Sequence, residues 1–188
     1  MQLKMKVYLA GPDVFLPEAK ARGEELKTLC DVHGLLGVFP LDNDISNVQI
    51  GSHAMADAIR KANMKLIKSC DAILANMTPF RGPSMDVGTA YEMGVGAALG
   101  KTVVGYILGD KMGYTEKVSK VHKVTRHEDG HLRDEEGMSV EDFKDVGGEE
   151  GLIDNLMISC GVETLCRTEE EGIKALAEIW KTRKVTNK

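Results

Sequence analysis

What this chain lacks narrows its function first. No run of about 18 apolar residues occurs in its 188 positions, so no segment reads as a membrane-spanning helix. The opening MQLKMKVYLAGP holds no apolar leader segment and runs straight into a strand-like stretch, so the expected compartment is the cytoplasm. An excess of positive charge is missing as well: 24 basic against 29 acidic side chains leave a net charge of −5. A nucleic acid polymer is therefore not an expected partner, although a small uncharged nucleoside remains compatible. The four cysteines, Cys30, Cys70, Cys160 and Cys166, form no CxxC pair and read as reduced cytosolic thiols. The five histidines, His33, His53, His122, His127 and His131, make no HExxH and no short ligand pair on a helix, so no metal site is expected. Gly11 opens neither a GxGxxG nor a P-loop, and Gly94-x-Gly96 lies inside a helical run, so no cofactor fingerprint is present. Internal repeats and low-complexity tracts are absent too.

What is there is an α/β pattern. A hydrophobic fraction of 43% supports a proper core, and the length suits a single domain over 1–188. Strands are expected at 6–10, 35–39, 72–77 and 102–108. Helices are expected between them at 17–32, 52–69 and 86–99, with Ser52 as a cap and Gly100 just past a helix end. Strict alternation of this kind predicts a parallel sheet with helices on both faces. Residues 110–150 change character, with 19 charged residues in 41, and read as an exposed, hairpin-like excursion turning at 127–131. A helix near 152–159, a strand at 162–166 and a helix at 169–184 complete the chain.

In open α/β sheets, ligands sit beyond the C-terminal ends of the strands. Those ends here are Gly11-Pro12-Asp13-Val14-Phe15, Pro40-Leu41-Asp42 and Thr78-Pro79-Phe80-Arg81-Gly82. Glu92 lies one or two turns into the helix that follows the third, within reach of the same crevice. Its neighbours at helical spacing are Gly88 and Thr89 on one side, Val95 and Gly96 on the other. Each glycine within a helix costs about 1 kcal/mol relative to alanine, so the run implies a need for space, for a ligand or for another backbone. Asp86 fits an N-cap, and a capping carboxylate still has a second oxygen for chemistry. Arg81 reads either as a surface residue or as a neutraliser of nearby acids. Two carboxylates in a crevice without a metal suggest glycosidic chemistry, one acting on the anomeric carbon while another group handles the proton of the leaving group.

These residues resemble the nucleoside 2-deoxyribosyltransferase family. The resemblance covers most of the chain and rests on VYLAGPDVF, the Asn63-x7-Asp71 spacing, DAILANMTPFRG, DVGTAYEMGVGAALGK and DNLMISCG. It implies a flavodoxin-like, doubly wound five-stranded parallel sheet, no cofactor and no metal. It also implies transfer of 2-deoxyribose between purine or pyrimidine bases. By this likeness Glu92 is the nucleophile, Tyr8 holds it by a hydrogen bond, and Asp86 orients the sugar or helps move the base proton. Gly11, Asp13 and Phe15 match the first loop of the base pocket, and Arg81 and Met85 lie in the variable loop that shapes it. Asn155 matches the asparagine that reaches into a neighbouring subunit and binds the sugar 5′-hydroxyl, which implies a homodimer or larger homo-oligomer. Read on residues alone, Asn155 favours a plain helix cap.

One departure concerns Asn63, where some relatives carry an aspartate that contacts the base. An amide offers donors that an ionised acid lacks, so base preference does not transfer. The excursion is also longer than in the most compact relatives. Two alternatives share the scaffold: an N-glycoside hydrolase of deoxynucleosides or their 5′-monophosphates, with water as acceptor, and a non-catalytic nucleotide-sensing module. Asn155 favours a free 5′-hydroxyl over a phosphate, and the combination of Glu92, Asp86 and Tyr8 speaks against a sensor.

Overall fold

A computed structural model describes residues 4–43, 45 and 48–186. The chain runs through β1 (Lys6–Ala10), α1 (Ala19–Val32), β2 (Leu36–Val38), α2 (His53–Ser69), β3 (Ala72–Asn76), α3 (Val87–Ala98) and β4 (Thr102–Tyr106). It continues through α4 (Tyr114–Ser119), β5 (Thr125–Arg126), β6 (Leu132–Arg133) and β7 (Ser139–Val140). It closes with α5 (Leu156–Ser159), β8 (Thr164–Cys166) and α6 (Glu169–Thr186). The main sheet has five parallel strands in the order β2-β1-β3-β4-β8. This is the flavodoxin-like arrangement that the alternating pattern and the family resemblance imply.

The central strands are buried along their whole length, which is why AILAN and TVVGY read as continuous apolar runs. Alternate residues feed opposite faces. Val7, Leu9, Leu74 and Val104 pack with Leu26 and Cys30 of α1 and Ile173 and Leu176 of α6. Tyr8, Ala10, Ile73, Ala75 and Val103 pack with Ile67 of α2 and Met93 of α3. The same alternation therefore delivers Tyr8 to the α2–α3 face. No described helix is long and apolar enough to cross a membrane.

Several boundaries differ from the sequence expectation for local reasons. α1 starts at Ala19, not Pro17, because residues 12–15 first form a 3-10 turn. β2 stops at Val38, since Pro40–Asp42 closes a second such turn. α5 covers only Leu156–Ser159, because the chain ahead of it bends at Ile153 and Asp154, both buried. The excursion holds a turn at 127–131, with His127 N donating to His131 O at 2.9 Å. It is not a simple hairpin, however: three strands form an antiparallel meander, and α4 precedes them. α4 docks through Val118 and through Lys117, whose buried ammonium donates to the Ile153 carbonyl.

The glycines of α3 divide their work. A Cβ on Gly96 would lie 2.2 Å from Ile73 Cδ1, so this glycine seats the helix directly on β3. A Cβ on Gly94 meets nothing within 4 Å. Gly100 (φ 68) ends the helix in a Schellman arrangement, with Lys101 N donating to Gly96 O at 3.0 Å and Gly100 N to Ala97 O at 2.9 Å. The space that the glycine run implies is therefore partly space for the sheet. Gly96→Ala should destabilise the fold by about 1–3 kcal/mol despite the better helix propensity of alanine, whereas Gly94→Ala should cause no loss, as read by urea unfolding.

Candidate active site

The strand order reverses between β1 and β3, and the crevice at such a switch point is where open α/β sheets take ligands. β1 contributes Tyr8, α3 contributes Glu92, and the two meet although 84 positions separate them: Tyr8 Oη donates to Glu92 Oε1 at 2.6 Å. Tyr8 has no exposed surface. Burial, followed by the adjoining carboxylate, pushes its hydroxyl well above the ordinary tyrosine range, so it stays a donor.

Burial also dominates at Glu92 and raises its pKa from 4.5 to about 7. The Tyr8 hydrogen bond pulls it down, the neighbouring Asp86 charge pushes it up, and the Asn63 amide pulls it down. Asn63 reaches the carboxylate from α2, and its Oδ1 accepts from Asn43 Nδ2 at 3.3 Å, which leaves its own amide hydrogens for Glu92. Asp86 is the N-cap of α3: Oδ2 accepts from Thr89 N at 2.8 Å and from Thr89 Oγ1 at 2.9 Å. Capping and electrostatic contact with Glu92 are thus combined in one residue. Gly88 is exposed on the first turn of α3, and a Cβ there would meet only Asp86 Oδ2 at 3.0 Å and Cγ at 3.9 Å.

Beyond the ends of β1 and β3 stands an aromatic platform. The rings of Phe15 and Phe80 stack 5.3 Å apart at 11°. The Arg81 guanidinium lies 4.6 Å from the Phe80 centroid and 5.3 Å from that of Phe15. Arg81 is the one described non-glycine residue with positive φ (56°), a conformation that costs roughly 1–2 kcal/mol and that often marks a functional turn. Phe80 N donates to Ser84 O at 2.9 Å and closes that turn.

Other residues expected to touch substrate are engaged within the protein. Asp13 accepts from Arg22 Nε at 3.0 Å and from Asn76 Nδ2 at 3.0 Å, while Arg22 Nη2 continues to Glu169 Oε1 at 2.9 Å. These bonds fix the loop after β1 against β3, α1 and α6. Gly11 belongs to the same knot, since a Cβ there would lie 2.8 Å from both Asn76 Cβ and Asp13 Oδ2. Asp42 accepts from Phe39 N and from Lys27 Nζ, each at 2.8 Å, and caps its own turn. Met85 is buried under the site, and its N–H donates to Asp154 Oδ2 at 2.8 Å. Asn155 caps α5: Oδ1 accepts from Met157 N at 3.0 Å, and Nδ2 donates to Glu141 Oε1 at 2.5 Å.

The structure thus brings Tyr8, Asn63, Asp86 and Glu92 together and sets Phe15 and Arg81 beyond the strand ends. Phe80, Asn76 and Asp154 lie in the segments singled out from the sequence but received no site role there, and Glu141 received no mention. Phe80 carried a signal, as an aromatic at a strand end. Glu141 carried none, being one of many charged residues in its segment.

A sequence model described as nucleoside 2-deoxyribosyltransferase matches residues 7–157. The chain belongs to the nucleoside 2-deoxyribosyltransferase family. It is 34% identical over 163 residues to an uncharacterized protein of Schizosaccharomyces pombe, covering 80% of this chain and 74% of that one. Among solved structures it resembles a 2-deoxyribosyltransferase of Leishmania mexicana, with 30% identity, TM-score 0.68, and coverage of 93% of this chain and 97% of the other. A conserved protein of Enterococcus faecalis shares the fold, with 19% identity, TM-score 0.58, and coverage of 93% and 99%. The family is enzymatic and acts on nucleosides and nucleobases.

The raised pKa of Glu92 has a stability consequence. Between pH 4.5 and about 7 the folded chain keeps a proton there that the unfolded chain has lost, so stability falls as pH rises through that window. Glu92→Gln should exceed the wild type by about 3 kcal/mol at a pH above this window, the gap closing below it, as read by urea unfolding across pH.

Proposed function

We propose that this enzyme transfers 2-deoxyribose between nucleobases through a covalent glycosyl ester on Glu92, with retention of configuration. The observation that carries this reading is the Glu92 carboxylate itself: recessed, hydrogen-bonded to Tyr8 at 2.6 Å, and set at the switch-point crevice beside Asp86. In the first half-reaction a Glu92 oxygen forms a bond to C1′ as the C1′–N bond breaks. The bonding pair leaves with the base, which takes up a proton. In the second, a nitrogen of the incoming base attacks C1′ and gives up its proton to Asp86 or to solvent, the ester bond breaks, and the carboxylate is restored. Two inversions return the β configuration.

Each neighbour has a role in this scheme. The Tyr8 hydroxyl holds one Glu92 oxygen, which aims the other and favours the ionised form. Asp86 orients the sugar or assists the base proton, and Asn63 contacts the base as well as Glu92. The flat platform of Phe15 and Phe80, with Arg81 across it, suits a planar base held by stacking. Water reaching the ester when no base is bound gives hydrolysis as a side reaction.

The test is incubation with deoxyinosine and a second free base, followed by chromatography. A new deoxynucleoside is expected; free hypoxanthine alone would mean a hydrolase, and no turnover would return the sensor reading. Glu92→Ala should lose exchange by at least about a thousandfold with the fold intact, and wild-type turnover in that variant would remove the mechanism.

Sharing of the site between subunits is part of the proposal. Met157, two residues from Asn155, is 75% exposed, and Val87 and Tyr91 on the outer side of α3 are 83% and 57% exposed. Such residues suit contact with a second copy that receives Asn155 at the 5′ end of its sugar. Asn155→Ala should raise KM for the deoxynucleoside. Mixing it with Glu92→Ala should restore activity in hybrid dimers, and verified heterodimers that stay inactive would count against sharing.

A further inference from the structure

The meander makes one contact that concerns the substrate. Glu141, the residue after β7, is half-buried at the N-terminus of α5. Its Oε1 accepts from Asn155 Nδ2 at 2.5 Å, and its Oε2 accepts from Leu156 N at 2.8 Å. Its carbonyl accepts from Thr115 Oγ1 of α4 at 2.6 Å, so backbone and side chain are both held. The amide of Asn155 is thereby fixed in orientation. Its oxygen faces the Met157 N–H, one amide hydrogen faces Glu141, and one hydrogen and one oxygen lone pair remain for a ligand. Any group that meets this amide also meets the Glu141 carboxylate.

We propose that Glu141 determines specificity at the 5′ end of the sugar: it sets the Asn155 amide for a 5′-hydroxyl and opposes a 5′-phosphate by its charge. This rests on the reading that Asn155 meets that end. Glu141 and Asn155 belong to the same chain, so they move together into whichever pocket Asn155 serves. A neutral hydroxyl gains a donor and an acceptor from the amide and suffers nothing from the acid. A phosphate in the same place brings a second negative charge to an existing one. At roughly 6 Å and an effective dielectric constant of about 40, one such charge pair corresponds to about a tenfold preference. The meander is then the element that restricts the site to uncharged nucleosides.

The experiment compares deoxyinosine with deoxyinosine 5′-monophosphate as sugar donors to adenine, using the full-length enzyme. The readout is the kcat/KM of the monophosphate divided by that of the nucleoside. Glu141→Gln should raise this ratio about tenfold. It should also raise KM for the nucleoside, because the Gln oxygen can serve only one of the two donors now bound. Glu141→Asp keeps the charge and should keep the discrimination. In the wild type the ratio should climb with salt between about 0.05 and 0.5 M, and in Glu141→Gln it should climb less.

An unchanged ratio in folded Glu141→Gln overturns the proposal. So does a wild type that takes both donors equally well. If Glu141→Gln fails to fold, a salt-independent wild-type ratio overturns it instead. The two layers separate cleanly: nucleoside use that survives Asn155→Ala removes the 5′-end reading and the proposal with it. Loss in Asn155→Ala with an unchanged Glu141→Gln ratio removes only the role of Glu141.

Discussion

One hydrogen bond organises this molecule: the Tyr8 hydroxyl donating to Glu92 across the gap between the first strand and the third helix. Its geometry requires that β1 be buried, that its alternation send Tyr8 toward α3, and that α3 lie close enough for the carboxylate to reach. Gly96 meets the last requirement by letting the helix settle onto Ile73. An acid in this position is costly to keep ionised, and its raised pKa records that cost. The tyrosine and the Asn63 amide offset part of it and leave a carboxylate that titrates near neutrality. A fully hydrated glutamate would lack this fixed orientation, and a fully desolvated one would stay protonated.

Around this bond the chain spends its other charged groups on scaffolding. Asp13, Arg22, Asn76 and Glu169 tie the loop after β1 to the strand and helices beside it. Asp42 and Lys27 do the same for the turn after β2. The crevice therefore has a stiff rim built of fully engaged acids, and its floor holds the two carboxylates, Glu92 and Asp86, that face each other electrostatically. Asp13 and Asp42 are paired with donors on both oxygens, whereas Glu92 meets the Tyr8 hydroxyl, the Asn63 amide and the charge of Asp86.

Much of this was legible in the sequence. The strict alternation gave the parallel sheet, because apolar runs such as AILAN and TVVGY have few other places to go. Capping residues were readable at Ser52 and Asp86, since a short polar side chain ahead of a helix has one obvious use. Glu92 stood out through its small neighbours, although Gly96 serves the sheet and Gly94 faces open space. The roles of Asp13 and Asp42 were not legible, because a carboxylate at a strand end looks the same whether it awaits a ligand or an arginine. The meander was unreadable for a related reason. Its strands are two residues each, too short for a period, and Glu141 meets Asn155 only once the fold has closed.

Asp154 carries a consequence for the order of assembly. Its carboxylate takes the amide of Met85 on one oxygen and that of Asn155 on the other, joining stretches 69 residues apart in the chain. A nascent polypeptide ending at Tyr106 already contains four of the five strands of the main sheet, and Tyr8 could already find Glu92. The loop leading into α3 would still want its anchor, because that anchor has yet to be synthesised. Sheet and the Tyr8–Glu92 pair can thus form early, while the loop into α3 waits for a late-arriving aspartate, and long-range closures of this kind are the ones that topology makes slow.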